Sequence, residues 1–355
     1  MTAKAVCLLM CICGFLRMAS GQEKTQINII STDSLAFAKY AKDPNRFIGN
    51  VKLTHKDMVM TCDSLYQYAD SNYIEAFGRV HAVQNDTLNL WGDFLYYYGN
   101  TGKAKVRKNV VMQNPTLTLT TDSLNYDMET RVGHYFNGGT IKDSVNTLIS
   151  DIGYYFVRMN ELFFKDSVKV YTSQYDLFSD TLKYRTDSKL ITILGPTHIV
   201  GENRTLYSEN GWYNSLTSHA ELYKNNILNY NTYTGSSDTI VVDSVSGTAI
   251  MRQHIHLYDT VNKVIVEGNY GEVLKNNDYA FVTDNVMKAY HHTKFYSMDL
   301  QGVCDSMVFP TADSTVYLYK EPVVWASGNQ LTATEISMHI KDNQVDIFDM
   351  KNKAM

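Results

Sequence analysis

The sequence predicts an all-β repeat protein, on three observations. An acidic residue, usually followed by Ser or Thr and then an apolar residue, recurs about every 29 positions, at Asp33, Asp63, Asp93, Asp122, Asp151, Asp180, Glu209, Asp243, Glu272, Asp305 and Glu335. Apolar and polar residues alternate on both sides of that anchor, which is the period of a strand. Only five prolines and no sustained 3.6-residue apolar pattern occur. A fixed period of this length means one structural unit copied end to end, about eleven times.

Each unit has the same internal order. Apolar residues fall five and three positions before the anchor, as in Met58/Met60, Leu88/Leu90 and Leu117/Leu119. They fall again two positions after it, at Leu35, Leu65, Leu95, Leu124, Leu182, Val245, Leu274 and Met307. Odd offsets are apolar before the anchor and even offsets after it, so a strand that keeps one apolar side must bulge or turn a corner there. Four positions past the anchor five successive units place an aromatic: Tyr97, Tyr126, Tyr155, Tyr184 and Tyr213. A second alternating run completes the unit, for example Ala104, Val106, Val110 and Met112, or Ile191, Ile193, Thr197 and Ile199. Gly or Pro often sits midway in that run, at Gly78, Gly138, Gly139, Gly195 and Pro196. Polar turns such as Gly99-Asn100-Thr101-Gly102 and Thr186-Asp187-Ser188 join the strands. The unit is therefore two long, bent strands, and stacked units build two facing sheets with an apolar trough between them.

The wider spacings after Glu209 and Glu272, 34 and 33 residues, predict enlarged loops near Thr232 to Asp238 and near Asp284 to Thr293. By periodicity the next anchor falls near position 364, so the array is expected to be cut within a unit. No internal domain boundary is evident, and residues 22–355 read as one continuous domain.

Lys4, the apolar run from Ala5 to Leu16, and Ala19 and Gly21 before Gln22 read as a cleaved export signal covering residues 1–21. Three of the five cysteines lie in it, leaving Cys62 and Cys304. Cys11 and Cys13 lack the small residue ahead of them that a lipoprotein signal wants. Without Lys4 and Arg17 the balance is 30 basic against 37 acidic residues, which offers no electrostatic footprint for nucleic acid. The expected compartment is the periplasm, with outer-membrane association a further option.

Several strings together resemble a known family: Asp122-Ser-Leu-Asn-Tyr-Asp, Tyr135-Phe-Asn-Gly-Gly-Thr-Ile, Glu209-Asn-Gly-Trp-Tyr-Asn, Ala289-Tyr-His-His-Thr-Lys-Phe-Tyr, Asp299-Leu-Gln-Gly-Val-Cys-Asp-Ser and Asn329-Gln-Leu-Thr-Ala. These resemble the OstA-like proteins of Bacteroidetes, relatives of the periplasmic lipopolysaccharide-transport protein LptA. The resemblance implies an elongated, twisted, half-open β-jelly-roll whose interior shields the acyl chains of lipid A. It implies as partners lipopolysaccharide itself, the inner- and outer-membrane components of its transport system, and further rolls stacked end to end. It implies neither cofactor nor catalytic residues. This chain is about twice as long as the short type, enough to supply much of a bridge alone.

The residues agree with a lipid carrier, because burying an acyl chain is favourable by about 0.8 kcal/mol per methylene. Interior candidates are Leu65, Leu88, Leu90, Leu95, Val106, Val110, Leu117, Leu119, Leu124, Leu182, Ile191 and Ile193, with Tyr97, Tyr126 and Tyr184 near the rim. The same alternation suits a closed sandwich whose side chains simply pack on one another. The alternatives are thus a structural or adhesive scaffold with a filled core, and a β-helical polysaccharide-binding protein or lyase. A carrier needs an open groove and an enzyme needs a concave cluster of ionisable groups. The anchor carboxylates are expected to bond backbone N–H groups freed at the bulge. His254 and His256, two apart on a strand, and the loop pair His291-His292 are weak metal candidates without Cys, Asp or Glu at ligand spacing, and no metal is assigned.

Overall fold

The computed structural model describes residues 25–355 apart from 41, 203, 262, 276–284, 311–313 and 343. The expected export signal lies outside the described residues. Thirty-one strands join in one antiparallel sheet, and the single 3-10 turn Val157–Met159 is the only helical element among the described residues. The chain is all-β.

The predicted corners are present. The strand Met58–Tyr68 pairs with Asn45–His55, and the register slips between Ile48 and Val51. Equivalent slips follow between Phe77 and Val80, Trp91 and Phe94, and Arg107 and Val110. At each slip one extra residue turns the strand, so both halves keep their apolar side chains inward. Farther along, the two halves of a strand have different partners. In Asp176–Arg185, residues Asp176 to Ser179 pair with Thr197–Val200, whereas Leu182 to Arg185 pair with Leu190–Ile193. The halves before the anchors form one wall and the halves after them the other. Most alternate corners, though not Gly195-Pro196, take left-handed backbone, as at Gly49 and Asn50 or Gly78 and Arg79. Glycine is required at the first of each pair twice over: φ is +86° and +72°, and a Cβ would stand 2.4 Å from Oδ2 of Asp33 or Asp63.

The anchor carboxylates do something other than expected. Asp122 accepts the N–H of Asn109, but Asp33, Asp63, Asp93, Glu209 and Asp305 take side chains from the next corner. Asn50 donates to Asp33 and Arg79 to Asp63, both at 2.8 Å, and Asn109 donates to Asp93 at 2.9 Å, while Lys224 pairs with Glu209 and Lys320 with Asp305, both at 2.8 Å. The backbone across the corner is bonded by the anchor's own N–H, as from Asp33 to Gly49 O at 3.0 Å and from Asp180 to Pro196 O at 3.3 Å.

Two anchors also move. The corner after Glu209 is Asp238, whose N–H bonds Gln253 O and whose carboxylate meets His254 Nδ1 at 2.8 Å. Asp243 instead caps a hairpin turn by accepting the N–H groups of Val245 and Ser246, and Val245 is 79% exposed. A turn-capping Asp-Ser mimics the corner motif because both use a carboxylate where the backbone bends. Glu272 lies inside the strand Val264–Lys275, past a corner that falls between Glu267 and Tyr270. Thr232 to Asp238 is therefore no enlarged loop: Tyr233–Ser237 is a strand. His291 and His292 belong to the strand Asn285–Tyr296 rather than to a loop, and Asp284 lies outside the described residues.

The buried side chains form two clusters, a large one from Ile27 to Ile255 and a smaller one from Val266 to Met338. Strand pairing runs unbroken across the gap between them. Cys62 and Cys304 occupy equivalent places just before two corners, and both are free and buried. Burial pushes both thiols up to about 12, and stacking at about 4.8 Å per strand sets them on the order of 75 Å apart. Mass mapping under non-reducing conditions should find two free thiols, and a Cys62–Cys304 bridge within one chain would contradict sequential stacking.

Candidate functional site

All fifteen interior candidates lie in the larger cluster, and none is more than 6% exposed. Leu65, Val106, Leu124, Leu182, Tyr184, Ile191 and Ile193 are at 0%. Alternation placed them correctly, but the space they line is filled by their own side chains. Among the described residues the trough is closed rather than open in this state.

What closes it is a seam. The hairpin tips of the first wall (Lys56-Asp57, Asn85 to Thr87, Pro115, Ser144-Val145) face those of the second wall (Gly99 to Gly102, Met128 to Arg131, Val157 to Asn160, Thr186 to Lys189). Within the second wall successive tips are zipped by backbone bonds: Gly99 N–H to Asn72 O, Met128 N–H to Gly102 O, and Thr186 N–H to Asn160 O. Among the described residues up to Gly247, no backbone-to-backbone bond crosses from one wall's tips to the other's. The seam is held by side chains.

The tyrosines four past the anchors perform this. They sit inside the seam, not on an exposed rim: Tyr97, Tyr126, Tyr155, Tyr184 and Tyr213 are at most 3% exposed. Tyr97 OH meets His55 Nδ1 at 2.7 Å, Tyr126 OH donates to Gln84 Oε1 at 2.9 Å, Asn114 Nδ2 donates to Tyr155 OH, and Tyr184 OH donates to Asp143. Each partner stands 42 or 41 residues before its tyrosine. His55 Nε2 is 2.9 Å from the carbonyl of Thr25, which can only accept, so Nε2 carries the proton and Nδ1 accepts from Tyr97. Burial lowers the His55 pKa and, in Tyr97, Tyr126 and Tyr184, raises the phenol well above its usual range. All the latches are therefore neutral phenols at neutral pH. Burial would raise Asp143, but bonds from Lys189, Tyr184 and the N–H groups of Val145 and Asn146 outweigh it and hold the carboxyl below its usual range.

Ion pairs supplement the ladder. Lys56 reaches Glu129 at 2.8 Å and Lys189 reaches Asp143 at 2.8 Å, while Arg131 meets Asp57 at 3.7 Å. The ladder ends at Tyr213, which packs edge-on against Tyr175 and whose hydroxyl has no hydrogen-bond partner among the described residues. Beyond it the equivalent place, counted from Asp238, is Val242, and Tyr175 OH to Ser244 Oγ at 2.7 Å is a last link.

The partners were not foreseen from the sequence, although His55, Gln84, Asn114 and Asp143 themselves recur at 29 or 30 residues. That period was the available signal. Tyr135 was also missed as an interior residue. It is 1% exposed, bonds Ser150 Oγ at 2.7 Å, and lies over Gly139 and Gly153, where a Cβ would meet its ring at 2.6 and 2.3 Å. The histidine pair does not converge, since His254 binds Asp238 and His256 binds Glu267 at 3.4 Å. Among the described residues no three His, Cys, Asp or Glu gather as a metal site.

Comparison with known proteins places part of this geometry in a family. The family model described as OstA-like protein matches residues 24–180. Residues 24–180 belong to the OstA-like family. The OstA-like stretch contains the first three tyrosine latches with both partners, and ends four residues short of Tyr184. No curated protein matches the chain. A solved structure, LptH from Pseudomonas aeruginosa, described as the LptA-homologous periplasmic component of a lipopolysaccharide transport device, is similar at 17% identity. It covers 29% of this chain and 79% of its own, with a TM-score of 0.28.

Two outcomes follow from the ladder. Tyr126→Phe leaves Gln84 Oε1 without its donor and should cost about 1–2 kcal/mol in urea unfolding, whereas Tyr213→Phe removes an orphaned hydroxyl and should be neutral or stabilising. Equal losses in the two variants would contradict the latch assignment. The second outcome concerns pH. Because His55 is held neutral with a lowered pKa, its unfolded form binds more protons below about 6.5, so its latch is intact above that pH and weakens as pH falls. Hydrogen-exchange protection at Thr25 to Ile27, corrected for the intrinsic rate at each pH, should fall between pH 7.5 and 5 in the wild type more than in His55→Gln.

Proposed function

We propose that this protein is a periplasmic carrier or bridge for lipopolysaccharide, one that takes the lipid A acyl chains between its two walls when the seam parts. The observation that carries this reading is the asymmetry of the bonding. Each wall is a continuous backbone ladder, while the line between them, over the described residues up to Gly247, is closed by side-chain bonds. Backbone ladders keep each wall intact, and single side-chain bonds worth about 1 kcal/mol apiece can be exchanged one at a time. An entering acyl chain would replace side-chain contacts with apolar contacts of its own, at about 0.8 kcal/mol per methylene. The OstA-like match over residues 24–180 supports the same reading, and the partners we propose are lipopolysaccharide and the inner- and outer-membrane components of its transport system, with end-to-end copies of the roll extending the path. No catalytic step is assigned.

A second reading has its own observation. The filled interior is what a structural bridge or adhesive scaffold would show. The two readings separate in living cells. A photocrosslinking residue at Leu65, Val106 or Leu182, all at 0% exposure, should capture lipopolysaccharide, and one on the outer face at Thr120 or Asn125 should not. Capture from neither set, at wild-type abundance, favours the scaffold. Leu119→Asp and Leu124→Asp should likewise lower lipopolysaccharide binding more than Thr118→Asp and Asn125→Asp, because a charge would sit where an acyl chain lies.

A further inference from the structure

The seam contains a cavity of about 260 Å³. Its polar wall is built by Gln84 and Thr87 from one first-wall tip, Asn114 and Thr116 from the next, and Arg131 and Asn160 from the second wall. Leu88 and Val157 supply apolar surface. The volume falls just below the range of about 300–1,000 Å³ that holds drug-sized ligands, so it suits a group no larger than a substituted sugar ring.

Two features give the cavity a direction. Gln84 and Asn114 are also the partners of Tyr126 and Tyr155, so the cavity lies between two consecutive latches and shares a residue with each. A ligand that bonds either amide competes with the tyrosine behind it. The second feature is charge. Arg131 lines the cavity and stands 3.7 Å from Asp57, whereas Lys56 and Lys189 of the same seam hold their carboxylates at 2.8 Å. Of these three ion-paired seam cations its guanidinium is the least tightly held by its carboxylate, and its planar fork matches a phosphate.

We infer that this cavity is a port for a phosphate-bearing sugar headgroup, and that its occupation draws Gln84 and Asn114 from Tyr126 and Tyr155 so that the seam opens there first. The inference rests on the carrier reading for what then enters the trough. Arg131 takes the phosphate; Gln84, Asn114 and Thr116 take sugar hydroxyls; and the acyl chains attached to that sugar lie directly above the latches that have been released.

The test uses the exported chain, a phosphorylated acylated glucosamine disaccharide in detergent, and its dephosphorylated counterpart. Arg131→Gln and Thr87→Asp should each weaken binding of the phosphorylated probe by about tenfold, the size of one charge-assisted contact, and leave the dephosphorylated probe unchanged. Arg158→Gln, on the same edge but outside the cavity lining, should change neither. Inorganic phosphate in excess should not displace the probe; displacement would make the site one for free anions and overturn the headgroup assignment. Equal weakening for both probes, or none in either variant, overturns the port while leaving the carrier reading intact if the wild type binds both. Failure of the wild type to bind either probe overturns both.

Discussion

A strand can pair its backbone only with neighbours in its own sheet, so the line where two folded walls meet has no ladder to close it. In this chain that constraint is met by tyrosines. Each stands one wall's depth from a corner, long enough to reach a polar group on the opposite tips and apolar enough to be buried on the way. The corners determine where the tyrosines land. Without the slip at each anchor, the position four residues later would point to solvent, and neither the filled interior nor the seam would exist.

This arrangement divides stability unevenly. The walls are held by continuous hydrogen-bonded pairing and by clusters of fully buried Leu, Ile and Val. The corners are held by exposed ion pairs such as Arg79 with Asp63, of a kind that contributes little on its own. The seam is intermediate: closed by buried, neutral phenols with ion pairs beside them, and made of separate bonds. Local opening concentrates where bonds are few and independent, so the seam is where the molecule would part before its walls unravel. The orphaned hydroxyl of Tyr213 and the orphaned Oδ1 of Asn146 fall on this line as well. Buried polar atoms without partners weaken a closed state relative to any state that satisfies them.

Much of this was legible in the sequence, and the reasons for the misses are specific. Alternation on both sides of Asp63 or Asp93 specified which side chains face inward, because a strand has only two faces. The corner followed from the change of parity. Asp243 misled because a turn-capping Asp-Ser and a corner Asp-Ser are the same letters used for different backbone bends, and the true corner, Asp238, followed by Thr239 and Ile240, carries the same motif only five residues earlier. The tyrosines were found but their surroundings were not. Whether two facing sheets stand open or closed depends on the distance between them, and alternation carries no information about that distance. The partners His55, Gln84, Asn114 and Asp143 share a period but no residue type, so a repeat defined by identical residues passes over them.

The central claim is that the two walls separate along the tyrosine seam when lipid enters. Spin labels at Asp86 and Thr130, on facing tips of the two walls, report that separation as a distance by pulsed electron paramagnetic resonance. The account predicts that the distance distribution shifts to longer values when lipopolysaccharide is bound, and that Tyr126→Phe makes the shift occur at lower lipid concentration. An unchanged distance in a sample shown to hold lipid would contradict it.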